Sequence, residues 1–195
     1  MKRIPLVPTL IVLLAVGYMI HLGFWQLDRL QQKEAMLARY QAAGSATDEV
    51  DWPLEAQNEI DPPRPEDLMY RRASLDCRRV VDMTTVSGQN SRGEPGLAHV
   101  AICRLADAHP VRVVLGWSRN PASPVWNGGV VTGWIAPGPR LVANPAVAGL
   151  APNARPDPAQ IPNHHLAYAV QWFLFAGVAL VIYALALRKR LRASA

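Results

Sequence analysis

Near its C-terminal end the chain reads Asn163-His164-His165-Leu166-Ala167-Tyr168-Ala169-Val170-Gln171-Trp172-Phe173, then continues apolar to Leu187. Imidazoles at the mouth of an apolar run can do two kinds of chemistry. The plain kind is interfacial: a polar ring reaches water from the membrane edge, and His21, His164 and His165 each fit that reading taken singly. The second is metal ligation. A neutral imidazole is a good axial ligand for haem iron, and the macrocycle wants apolar and aromatic walls. If His165 opens a helix, its i+3, i+4, i+7 and i+8 neighbours are Tyr168, Ala169, Trp172 and Phe173, all on one face. That face is expected to hold a macrocycle against a second apolar helix, with His165 on the iron. His21, in the N-terminal apolar run, is a candidate second ligand.

The two cysteines, Cys77 and Cys103, lie between the apolar runs. Three states are open to them: a cross-strand disulfide, buried free thiols, or a copper or zinc site with His99 and His109. The H-x3-C-x5-H spacing matches no tight metal template, so the disulfide is the leading expectation. Closing a loop of that length stabilises by roughly 3 kcal/mol in the chain-entropy model. The chain carries no nucleophile elbow, phosphate loop, C-x-x-C or H-E-x-x-H, and its acids form no convincing acid/base pair. The expectation is a protein that is not an enzyme.

Two apolar runs must position these groups. Ile4–Leu27 and Leu166–Leu187 contain no Asp, Glu, Lys or Arg. As helices rising about 1.5 Å per residue, each covers the roughly 30 Å hydrocarbon layer. Ala15-Val16-Gly17 offers a small-x-small cleavage site, but apolar residues continue to Leu27, which favours an uncleaved anchor over a signal peptide. The formal net charge is +5. Its excess lies in Lys2, Arg3, Arg188, Lys189, Arg190 and Arg192, outside the apolar runs, and the remainder is about neutral. A nucleic-acid partner is therefore not expected, because its basic surface would lie on the folded domain. The positive-inside bias places both termini in the cytoplasm and the region between the spans outside. Trp25 and Trp172 then fall near the external interface.

Between the spans, Arg29–Arg39 is rich in helix formers and should prolong the first span. Asp48–Glu66, rich in Pro and acids, reads as an irregular connector. Five strands are predicted: Tyr70–Asp76, Arg79–Thr85, Leu97–Leu105, Val111–Trp117 and Gly129–Ile135. Turns are expected at Ser87–Asn90, Arg92–Gly96 and Asp107–Pro110. Pro137–Pro162 reads as an extended return to the membrane. The expected fold class is an α+β membrane protein, with two transmembrane helices flanking a small antiparallel β-rich extracytoplasmic domain. Its parts are residues 1–27 (tail and first span), 28–162 (periplasmic β-rich domain with helical extension) and 163–195 (second span and basic cytoplasmic tail).

Leu22-Gly23-Phe24-Trp25-Gln26-Leu27-Asp28-Arg29 resembles the L-G-x-W-Q-x-x-R pattern of the surfeit locus protein 1 family. Asn163–Phe173 resembles that family's N-N-H-L-x-Y-A-x-x-W-F. Tyr70-Arg71-Arg72, Arg92–Gly96 and Val114-Leu115-Gly116-Trp117 are similar to its weaker signatures, and the resemblance runs in order from about residue 10 to 190. It implies an assembly factor for haem-copper cytochrome c oxidase in the bacterial inner membrane. Such a factor binds haem a and delivers it to, or stabilises it in, the catalytic subunit, with haem a synthase as a further partner. The alternative is a membrane scaffold that binds oxidase subunits without haem. By position the implied ligand is His165; His164 stands where the family usually has Asn. The implied lining residues are Tyr168, Trp172 and Trp25. Three positions depart from the pattern: Leu115 replaces a usual basic residue, Cys77 a common glycine, and Cys103 falls at a usual Thr-Pro pair. The paired cysteine change fits a disulfide particular to this lineage.

Overall fold

The computed structural model describes residues 5–52, 67–106 and 110–193. The chain forms two compact units, one of Met1–Leu37 with Ile161–Ala195, the other of Ala38–Gln160.

The first unit is a pair of helices. Helix α1 spans Leu6–Ser45 and helix α2 spans His165–Ala193. Both are long and apolar enough to cross a membrane. Helix formers persist beyond the predicted Arg39, so α1 carries on to Ser45. The helices run antiparallel: the Thr9 hydroxyl bonds the Tyr183 hydroxyl toward one end, and Gln26 meets His165 toward the other. The residues buried on α1 are Val16 and Gly23, and on α2 Ala169 and Ala176. Each pair is separated by two helical turns, which keeps it on one stripe. Small residues let helix backbones approach closely, which is how helices associate where lipid removes the hydrophobic drive. Around that stripe the large apolar side chains, among them Leu10, Leu14, Val178 and Ile182, are exposed, as a lipid-facing surface is.

The second unit is a seven-stranded sheet. Its strands are β1 (Glu49–Asp51), β2 (Arg72–Cys77), β3 (Arg79–Gln89), β4 (Pro95–Arg104), β5 (Val111–Ser118), β6 (Gly129–Ala136) and β7 (Arg140–Ala143). The spatial order is β1-β2-β6-β7-β5-β4-β3. All five predicted strands are present. The sheet is mixed rather than purely antiparallel, because β1 pairs parallel with β2 and β7 parallel with β5. Those two strands were not predicted. Each is three or four residues long and lies in a stretch whose prolines read as irregular chain. Strand β7 follows β6 through a tight turn and slots between β6 and β5, which sets its direction.

One residue, Arg78, joins β2 near one end of the sheet to β3 at the other. A flat sheet forbids this, since strands five places apart lie roughly 24 Å from each other at normal spacing. The Cα atoms of Cys77 on β2 and Cys103 on β4 are 5.3 Å apart, although these strands are four places apart in the order. The sheet is therefore strongly curled, with irregularities at Val80/Asp82 and His99/Val100 that increase local twist. The curl closes over a core of Val113, Leu115, Val131, Ile135 and Leu141.

The β3–β4 turn differs from expectation. Ser87–Gln89 belongs to β3, and the turn is the single tight loop after it. Buried Asn90 organises that loop: its Oδ1 accepts from the Arg92 and Glu94 N–H groups, and its Nδ2 donates to the Glu94 carboxylate. Part of the expected Asp48–Glu66 connector and the Asp107–His109 turn lie outside the described residues.

Candidate functional site

His165 is the first residue of α2, and its ring is partly buried against α1. Its Nδ1 lies 2.7 Å from Gln26 Oε1. A carbonyl oxygen can only accept, so Nδ1 is the donor of this pair, and in the neutral ring Nε2 is then the nitrogen with the lone pair. A partner on one ring nitrogen fixes tautomer and ring direction, which is how ligating histidines are commonly held. Gln26 was not singled out as a site residue. The available signal was a lone amide three residues after Gly23 in an apolar run, hence beside the same helix stripe.

The two helices leave no space between them at this level. A Cβ on Gly23 would stand 2.5 Å from Phe173 Cε1, and the Phe24 and Phe173 rings meet edge to face at 5.4 Å. The expected placement of a macrocycle between the spans is corrected accordingly: Phe173 and Ala169 are consumed in helix packing. The open surface is the flank of α2. His165, Tyr168, Trp172 and Phe175 follow one another along it at helical spacing. Tyr168 and Phe175 are about half exposed, and Trp172 meets Phe175 edge to face at 6.2 Å. This aromatic strip lies on the same side as the Gln26–His165 bond and is open to a flat apolar ligand from the side.

Two sequence candidates are turned elsewhere. His21 and Trp25 each lie two residues from Gly23, and two helical steps put them nearly on the opposite side of α1 from the α2 contact. Both are exposed, and the Trp25 ring is instead covered by the Arg29 guanidinium at 5.5 Å. The structure therefore does not bring His21 or Trp25 to His165. His164 is exposed.

In the strand domain Cys77 and Cys103 are joined in a disulfide. With Cys103 so engaged, the metal alternative loses its thiolate. His109 lies outside the described residues, and no cluster of metal-binding side chains occurs among the described ones. His99 is wholly buried with neither ring nitrogen hydrogen-bonded. Leu115, at the usual basic position, is wholly buried, so a charge has no place there in this core. Glu94 is held below the usual carboxylate range chiefly by the Asn90 amide, which outweighs the opposing desolvation, with Arg92 and Arg119 adding smaller help.

The sequence model of the SURF1 family matches residues 13–177 of the chain. No curated protein matches it.

Proposed function

The chain belongs to the SURF1 family, a family of assembly factors for cytochrome c oxidase, and from that premise we propose that it is a haem a carrier serving the oxidase's catalytic subunit. The single observation that carries the proposal is the His165–Gln26 bond, which fixes the direction of the imidazole, with Nδ1 on Gln26 and Nε2 left free of it. Haem a is the cargo, and its iron is the electrophile that an imidazole lone pair binds. His165 holds the iron, and Tyr168 and Trp172 supply an apolar wall along the flank of α2. Handing a cargo on requires firm but reversible binding, which one protein ligand suits better than two. The turning away of His21 agrees with that. The chain lies in the bacterial inner membrane with both termini cytoplasmic and the strand domain periplasmic. The disulfide supports this orientation, since such bonds persist in oxidising compartments. Haem a synthase is the proposed donor.

The test is the absorbance spectrum of the full chain purified in detergent from cells that make haem a. A bound-haem band is expected, lost in His165→Ala and weakened in Gln26→Ala. A band of wild-type intensity in His165→Ala removes the ligand assignment.

The closed contact of Phe173 on Gly23 favours a second reading, a scaffold whose membrane-edge motifs only pack helices. Co-purification of the oxidase subunit that persists in His165→Ala, from cells without haem a, selects that reading.

A further inference from the structure

Arg112 and Arg140 stand opposite each other in the parallel register of β5 and β7. Arg112 Nη2 donates to Gly138 O, and Arg140 Nη1 donates to Pro137 O at 2.6 Å. Both carbonyls belong to the turn from β6 to β7. Gly138 has a φ of 75°, and a Cβ there would lie 3.4 Å from Arg112 Nη2 and 3.5 Å from Arg140 Nη1. Two guanidiniums thus converge on one bare glycine at the surface.

Arg71, Arg72, Arg78, Arg92 and Arg119 each pair with an acid, whereas no carboxylate among the described residues pairs with Arg112 or Arg140. Burial, and then the Arg112 charge, hold the Arg140 guanidinium below its ordinary value, with the Tyr70 phenol acting the other way. The acid that acts on Tyr70, Asp157, is engaged in accepting from the Ala159 N–H. Like charges side by side raise the free energy of the empty pair. Each guanidinium has five N–H donors and is bonded here to a single carbonyl, so most of each fork is available.

We propose that the Arg112–Arg140 pair at the β6–β7 turn is a binding site for a phosphate group, supplied by inorganic phosphate or by an anionic phospholipid headgroup. Planar forks match phosphate oxygens in pairs, and two cations match the charge of a dianion. The site uses only residues of the strand domain and is independent of the haem reading.

The experiment is thermal melting of the full chain in non-ionic detergent, with phosphate against chloride at equal ionic strength. Phosphate is expected to raise the melting temperature of the wild type. Arg112→Gln and Arg140→Gln should each lower the phosphate affinity read from that gain at least about tenfold, the loss of one charge-assisted hydrogen bond. In chloride, Arg112→Gln should melt no lower than wild type, because like-charge repulsion is relieved. Arg112→Lys keeps the charge without the fork and should fall between. A second arm adds phosphatidylglycerol or phosphatidylcholine to the micelles. Stabilisation by the former alone, competing with phosphate, assigns the headgroup; a gain from phosphate alone assigns the free ion. Equal melting of the wild type under all these conditions overturns the proposal. So does an Arg112→Gln protein that melts lower in chloride yet keeps the full phosphate gain, since the side chain would then only cap the turn.

Discussion

A hydrogen bond between residues 139 positions apart sets the chemistry of His165. The side chain's type was legible in the sequence; the proton's location was not, because Gln26 decides it. Glu94 shows the same dependence on neighbours. Its folded carboxyl is held below the usual value chiefly by the Asn90 amide. A depressed carboxyl stabilises the fold above its unfolded value, near 4.3, and that contribution is lost as pH falls through the lower folded value. Replacing Glu94 by Gln should therefore lower the melting temperature at pH 7 but narrow the difference from wild type as pH falls from about 5 to 3. Melting curves across that range check this; a gap as wide at pH 3 as at pH 7 rejects the linkage.

At the scale of elements, the glycines of the helix pair are not equivalent. Gly23 is where the α2 ring sits, whereas an added Cβ at Gly17 or Gly177 meets nothing within 4 Å. Gly23→Val is expected to destabilise the helix pair by about 1–3 kcal/mol through overpacking. Gly17→Ala should be neutral or slightly stabilising, since alanine is the better helix former. Unfolding of the detergent-solubilised chain measures both, and Phe173→Ala should restore part of the loss in the Gly23→Val background. Among the strands, β4 and β5 were readable because each is long and rich in β-formers. Strands β1 and β7 were not, since three or four residues carry no period and their pairing comes from β2, β5 and β6.

Over the strand domain as a whole, the decisive feature is the curl that brings β2 beside β4. The Cys77–Cys103 bond crosses it and closes a separation of 26 residues. Replacing both cysteines by serine is expected to lower the domain's stability by about 3 kcal/mol. Denaturant unfolding, with and without reductant, tests this; a wild type indifferent to reductant at full thiol release rejects it.

The sequence by itself determined the two spans, five of the strands, the type of the candidate ligand and the family, because apolar length, periodicity and motif order are local properties. Only the tertiary structure decided that His21 and Trp25 face away from His165, that Phe173 fills the space beside Gly23, and that Gln26 orients the imidazole. A helix repeats every 3.6 residues, so the sequence shows which residues share a stripe. Which stripe meets which neighbour depends on contacts between segments far apart in the chain, and packing alone selects them.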